Sequence, residues 1–261
     1  MNSESYPQKV WIDGCFISKI SKEELLSSIK SWIISKQKGR YITSINVSKL
    51  MMMQNDKKLA DCVFNSSINI ADGFPIFVAT QLLGNPVPER ITGIELMEEL
   101  LKLAAESHFS VYFLGSKIDI LRKVIDKCLK EYPFLKVVGC HHGYYLKDDE
   151  DSLVKEIACL NPDILLVALG LPQKEYFIYD HIKNLDLSLI LPVGGGFDVY
   201  SGMKKRAPQW VQKMGIEWLW RSIYDRSRGK LIFRNFIPFF TIMVKEIMRQ
   251  RILKGNRSCS P

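Results

Sequence analysis

The stretch Asp163-Ile-Leu-Leu-Val-Ala-Leu169-Gly-Leu-Pro-Gln-Lys-Glu175, followed after residues 176–186 by Leu187-Ser-Leu-Ile-Leu-Pro-Val193-Gly-Gly-Gly-Phe-Asp198, decides the fold. Each half opens on a near-continuous apolar run, the signature of a strand buried on both faces, and each run ends in glycine. A helix-period segment separates them. Strand, glycine loop, helix and strand again make a βαβ unit, so the sheet is parallel and covered by helices.

Outward from this unit the same rhythm continues. Strands are predicted at Tyr41–Asn46, Ser67–Ala71, Ser110–Leu114 and Leu135–Gly139, beside Asp163–Leu169 and Leu187–Val193. Ser21-Lys-Glu-Glu24 and Thr92-Gly-Ile-Glu95 read as capping boxes, each opening a helix of about four turns. The expected fold is α/β: a Rossmann-like, mostly parallel sheet with helices on both faces. In such sheets ligands bind beyond the carboxyl ends of the strands. The loops there hold Ser44-Ile-Asn46, Asp72-Gly-Phe-Pro75, Leu114-Gly-Ser116, Gly139 to Tyr144, Gly170 to Glu175 and Gly194 to Asp198.

The chain has 261 residues, 47% hydrophobic and 25% charged, which is enough apolar material for one large core and argues against disorder. Its charge is uneven. Residues 204–261 hold fourteen Lys or Arg against three acids, a net of +11, so residues 1–203 carry −3 of the overall +8. The same tail holds Trp210, Trp218 and Trp220 and the run Leu231-Ile-Phe-Arg-Asn-Phe-Ile-Pro-Phe-Phe-Thr-Ile-Met-Val244. Cations interleaved with aromatics suit an anionic surface over an oily layer. Arg234, Asn235 and Pro238 interrupt the run, so it is expected to lie on a membrane and not to cross it. The division expected is an α/β body at 1–203 and a helical, basic, membrane-associating appendage at 204–261. No secretory signal opens the sequence, which points to the cytoplasmic face of that membrane. Six cysteines without a Cys-x-x-Cys pair are expected to be reduced thiols.

Several residues carry chemistry on pattern alone. Asp72 at a strand tip has the makings of a general base, or caps the helix that starts near Pro75. Arg90 in the Pro-punctuated loop Gly84–Gly93 could fork onto a phosphate, or pair with Glu89 or Glu95. Gly194-Gly195-Gly196 suits close approach to phosphate but has neither P-loop nor dinucleotide spacing. Asp149-Glu150-Asp151 has the carboxylate spacing of metal-dependent sugar transferases, yet at a helix start acids complement the dipole. His141-His142 lacks further ligands at metal spacing, and no metal or cofactor is expected.

Taken together, Ser44-Ile-Asn46, Ala71-Asp72-Gly73, Gly84 to Gly93 with Pro88-Glu-Arg90, Gly139-x-x-His-Gly-Tyr144 and Gly170-x-Pro172 resemble the WecG/TagA/CpsF family of bacterial glycosyltransferases. Val193-Gly-Gly-Gly-Phe-Asp198, Gly202, Arg206-Ala-Pro-x-Trp210 and Gly215-x-Glu-Trp-x-x-Arg221 extend the resemblance to most of the chain. It implies transfer of a sugar, often N-acetylmannosamine, from a uridine diphosphate donor to an undecaprenyl-diphosphate-linked sugar, with inversion and without a metal, in teichoic acid, capsule or exopolysaccharide synthesis. Carried residue by residue, it makes Asp72 the base and places Ser44, Asn46, Arg90, Gln173, Lys174, Gly194, Gly195 and Asp198 around the substrates. It directs Arg206, Arg221, Arg228, Arg234 and Trp218 at the lipid-linked acceptor and the membrane, and a homo-oligomer is compatible with it. Two positions depart from the family pattern. Ser44 stands for a usual threonine, and Pro172-Gln-Lys-Glu175 replaces Pro-Lys-Gln-Glu, which opens the donor to a related hexose or a uronic acid.

Two rival classes compete. A nicotinamide-dependent oxidoreductase would need a Gly-x-Gly-x-x-Gly opening a helix, which is missing. A basic nucleic-acid-binding protein would spread its positive charge along a polar face, whereas here it is confined to one end beside an oily segment.

Overall fold

The computed structural model describes residues 7–205, 207–208, 210–211, 220 and 226–257. The chain opens on a hairpin, β1 (Lys9–Ile12) and β2 (Cys15–Ser18), whose turn residues Asp13 and Gly14 both have positive φ, 46° and 77°. That is the geometry an Asp-Gly hairpin turn provides. Helix α1 (Lys22–Ile34) starts at the Ser21–Glu24 capping box, as its sequence predicts.

The two predicted strands nearest the amino terminus are β3 (Ile42–Ile45) and β4 (Ile68–Ala71), parallel to one another and joined through α2 (Val47–Met53) and α3 (Lys57–Phe64). Then come α4 (Phe74–Leu82), α5 (Gly93–Ser107), β5 (Ser110–Gly115), α6 (Ile118–Glu131) and β6 (Lys136–His141). The remaining elements are α7 (Glu150–Leu160), β7 (Ile164–Ala168), α8 (Gln173–Leu185), β8 (Leu189–Pro192), α9 (Gly196–Tyr200) and α10 (Arg226–Arg257). All six predicted strands form, each within two residues of its predicted ends. The β1–β2 hairpin is an addition that the sequence reading did not contain.

Strands β6, β5, β7 and β8 form a parallel sheet in that order. A parallel bridge between Tyr41 and Ile190, with the Ile190 N–H donating to the Arg40 carbonyl at 2.9 Å, sets the β3–β4 pair beside β8. The carboxyl ends of β7, β8, β3 and β4 therefore line one edge of the molecule.

Alternation along the strands explains the two-sided cover. Val111 and Phe113, Ile164 and Leu166, and Leu189 and Leu191 pack with α1, α5, α6 and α9. Tyr112 and Leu114, Leu165 and Val167, and Ile190 face the opposite way, into α7 and α8. A third core joins the hairpin, β3, α2, α3 and α4, and it includes Phe239 and Met243 from α10. Helix α10 thus docks on the body, with the Asn235 amide donating to Ser48 Oγ at 3.3 Å. Its helix continues through Pro238. Among the described residues no helix is long and apolar enough to cross a membrane. Cys15, Cys62, Cys128, Cys140 and Cys159 are free thiols.

Candidate active site

The site is built at the tips of β3 and β4. Chain direction at β4 changes at Gly73, whose φ of +100° an L side chain rarely adopts, and α4 then begins with Gly73 itself as cap and no side-chain capping bond. Asp72 is therefore not the cap of α4. Its N–H donates to the Ile45 carbonyl at 2.9 Å, which ties the strand tip to β3 and leaves the half-buried carboxyl at the sheet's edge.

Ser44 lies one strand over, with its hydroxyl on the same side. A Cβ placed on Gly93, the first residue of α5, would sit 3.9 Å from both Asp72 Oδ2 and Ser44 Oγ. These two oxygens and the start of α5 thus enclose one small crevice. Thr43, next to Ser44, points elsewhere, buried and bonded to Asn69 Oδ1 at 2.5 Å. Asn46 caps α2, its Oδ1 accepting from the Lys49 N–H at 2.9 Å, and its Cβ lies 3.8 Å from where a Gly73 Cβ would be. One amide oxygen is spent on the helix, and the amide NH₂ is the group that can donate to a ligand.

Arg90 is half-buried two residues before the Thr92 cap of α5. Glu89 accepts the Lys22 N–H at 2.6 Å, and Glu95 closes the capping box with Thr92.

Lys174 stands at the tip of the neighbouring strand pair, at the start of α8. Residues Gly170 to Pro172 turn sharply into α8, whose first N–H groups are already bonded: Lys174 N to the Gly170 carbonyl, and Glu175 N and Tyr176 N to that of Pro172, all at 3.0 Å. Gln173 is exposed, and its Oε1 lies 3.6 Å from where a Gly170 Cβ would be. Lys174 instead points inward, 7% exposed, with its Cε 3.6 Å from where a Gly194 Cβ would be. Gly194 is half-buried and Gly195 exposed at the tip of β8.

The ammonium of Lys174 meets Glu175 Oε1 at 2.8 Å and Oε2 at 3.1 Å. Lys49 Nζ reaches the same Oε1 at 2.7 Å, with 1% and 0% of the two side chains exposed. The Lys49 contact is an ion pair by distance and not a directed hydrogen bond. Burial pushes the Lys174 ammonium down, repulsion from Lys49 adds to this, and Glu175 and Asp72 oppose it, leaving it at about 8. Burial acts on Glu175 in the other sense, but Lys49 and Lys174 outweigh it and hold the carboxyl below its ordinary range.

Sequence reasoning missed Lys49 and took Glu175 only as part of a motif. The available signal was a lysine three residues after a capping Asn, the one charged residue in a helix of Val47, Ser48, Leu50 and three methionines.

The other predicted residues fall outside this crevice. Asp198 accepts from Ser116 Oγ at 3.3 Å and pairs with Lys204, placing it at the tip of β5. Arg234 is exposed on α10. Arg206, Trp218 and Arg221 lie outside the described residues, as does the side chain of Arg228. Among the acids at the start of α7, Glu150 bonds Lys147 and His181 Nε2, the latter at 2.8 Å, and Glu150 and Asp151 occupy the helix's first turn. They stand where the helix dipole favours acids. His141 Nδ1 contacts the His142 carbonyl at 2.7 Å, and His142 Nδ1 accepts from Tyr144 N–H at 3.2 Å. A broad surface depression lined by Lys123, Asp126, Lys127, Leu129, Lys130 and Ser201 holds none of the predicted residues.

A carboxylate at a strand tip, with a hydroxyl and an amide beside it at the carboxyl edge of a parallel sheet, suits a group-transfer enzyme of the α/β class. Residues 10–253 match the glycosyl transferase WecG/TagA/CpsF family, and the chain belongs to that family and is a glycosyltransferase. It is 31% identical over 211 residues to the N-acetylglucosaminyldiphosphoundecaprenol N-acetyl-beta-D-mannosaminyltransferase of Bacillus subtilis, covering 81% of each chain. To the enzyme of the same name from Staphylococcus aureus it is 29% identical over 252 residues, 96% of this chain and 97% of the other.

Proposed function

We propose that this enzyme moves an N-acetylmannosamine or a related hexose or uronic acid from a uridine diphosphate donor to N-acetylglucosamine carried on undecaprenyl diphosphate. The transfer inverts the anomeric centre and needs no divalent ion, and its product enters a cell-surface polymer such as teichoic acid, capsule or exopolysaccharide. The observation that carries this reading is the crevice in which Asp72 Oδ2 and Ser44 Oγ converge at the start of α5, Asp72 not being the cap of α4. Asp72 takes the proton of the acceptor hydroxyl while that oxygen attacks the anomeric carbon from the face opposite the leaving diphosphate. Ser44 and the Asn46 amide position the sugars. Arg90 and Lys174 neutralise the charge that develops on the diphosphate, work done by a metal in other transferases.

Residues 204–261 act as the appendage that brings the body to the inner face of the membrane. On α10 the exposed side chains Ile237, Phe240, Val244 and Met248 follow one another at helical spacing, while Phe239 and Met243 hold the helix to the body. The basic excess of the tail favours anionic lipid.

The test is release of uridine diphosphate from a panel of uridine diphosphate sugars, with and without prenyl-diphosphate N-acetylglucosamine, in the presence of chelator, for wild type and Asp72→Asn. Acceptor-dependent release that Asp72→Asn lowers by about 100-fold or more is the expected result. Full rate in Asp72→Asn would remove Asp72 as base, and release that stops in chelator would remove the metal-free step.

A further inference from the structure

Lys49 and Lys174 meet on Glu175 between α2 and α8, within electrostatic reach of Asp72 at the tip of β4. Lys49 and Glu175 are 1% and 0% exposed and Lys174 7%, so three charges lie out of water. Burying charge is tolerable only where the charges come close to cancelling. Lys49 and Lys174 against Glu175 leave one positive charge over. Asp72, whose carboxylate attracts Lys174, completes the balance. A protonated Asp72 would strand one buried cation.

We propose that the Lys49–Glu175–Lys174 cluster couples proton uptake by Asp72 to departure of the diphosphate. In the resting site it holds Asp72 ionised, and when Asp72 becomes neutral it presents one uncompensated positive charge to the leaving group. This rests on Asp72 being the base. In the step itself the acceptor hydroxyl gives its proton to Asp72, and its oxygen bonds to the anomeric carbon. The bond from that carbon to the diphosphate oxygen breaks, and its electron pair leaves with the diphosphate, which gains one negative charge. The cluster with Asp72 passes from neutral to +1 as the diphosphate gains −1. A positive charge already fixed in place is thus uncovered as negative charge develops on the diphosphate, so no reorganisation is needed in the step.

The two lysines have different parts. Lys174 lies beside Gly194, near enough to Asp72 to feel its carboxylate, and carries the charge. Lys49 does not reach the crevice and is a positioning residue. By sharing Glu175 Oε1 it keeps that carboxylate from neutralising Lys174 outright. The charged and titratable groups facing Lys174 are Lys49 from α2, Asp72 from the tip of β4, Glu175 from its own helix and Cys62 from α3. Burial pushes the Cys62 thiol up to about 12, so it stays neutral. Since the ammonium form does the work and titrates at about 8, activity falls as pH rises through that value.

The experiment is the pH–rate profile for uridine diphosphate release in wild type, Lys174→Gln, Lys174→Arg and Lys49→Met, with Asp72→Asn as reference and thermal melts confirming folding. Lys174→Gln is expected to lose about 100-fold in kcat, to lose the basic limb and to shift the acid limb up by about one pH unit, because Asp72 loses its cation. Lys174→Arg restores much of the rate and moves the basic limb out of range, since guanidinium stays charged. Lys49→Met moves both limbs upward, because Glu175 then belongs to Lys174 alone. Superimposable limbs in folded lysine variants, with Asp72→Asn inactive, would overturn the coupling and leave the base in place. An active Asp72→Asn would overturn both.

Discussion

Glu175 holds two lysines with one carboxylate in a place where water does not reach. Glu175→Gln therefore leaves two buried ammonium groups with only Asp72 to oppose them, and the expected loss of stability is about 3–5 kcal/mol. The pH dependence has a definite sign. A lysine whose pKa is lower folded than unfolded binds fewer protons in the native state, so stability rises with pH across the interval between the two values. For Lys174 that interval opens at about 8 and closes at the ordinary lysine value, and removing Glu175 widens it downward. Urea denaturation of Glu175→Gln should show a larger deficit at about pH 7 than at about pH 9; an equal deficit at both would mean that the lysines keep their wild-type protonation without Glu175. This cluster was the least legible part of the site. Asp72 stands out in the sequence because it ends an apolar run, whereas Ser44 and Asn46 are singled out only by the family resemblance. Lys49 sits inside a helix, where pattern reading assigns lysine to solvent, and only the fold brings Glu175 across from a residue more than a hundred positions away.

Helix α5 shows how an element can serve stability and site at once. Thr92 and Glu95 secure its first turn, and Gly93 between them faces the Asp72–Ser44 crevice. A methyl group there would stand 3.9 Å from both oxygens, an ordinary contact that needs no movement of the backbone. Gly93→Ala should keep or slightly raise the melting temperature, since alanine favours helix over glycine by up to about 1 kcal/mol. It should also occupy the space where an acceptor hydroxyl approaches Asp72 and lower kcat/KM for the acceptor by about tenfold. An unchanged kcat/KM would place the acceptor elsewhere. Both capping boxes were readable because their hydroxyl and carboxylate are local to the sequence. The β1–β2 hairpin carries an Asp13-Gly14 turn yet was absent from the strand reading. All four side chains of Cys15–Ser18 are buried, which erases the period-two alternation that marks a hairpin arm.

At the scale of the molecule, α10 divides its apolar residues between two duties, and the sequence alone reads them as one oily run. Phe239 and Met243 are 6% and 5% exposed against α2 and the hairpin core, while Ile237 and Phe240 are 75% and 70% exposed on the side away from it. Substitution should separate the two. Phe239→Ala removes a packed ring and is expected to cost about 3 kcal/mol. The double change Ile237→Glu with Phe240→Glu touches little inside the protein and should leave the melting temperature within a degree or two. If the outer stripe rests on lipid, the same double change places two carboxylates in the interfacial layer beside an anionic surface. Both the apolar gain and the electrostatic attraction are then lost together. Co-flotation with vesicles of anionic lipid should be strong for wild type, weaker at high salt and nearly abolished in the double variant. Phe239→Ala, assayed below its melting temperature, should still float. A double variant that floats like wild type would assign membrane contact to other parts of residues 204–261 and leave the exposed stripe of α10 without that role.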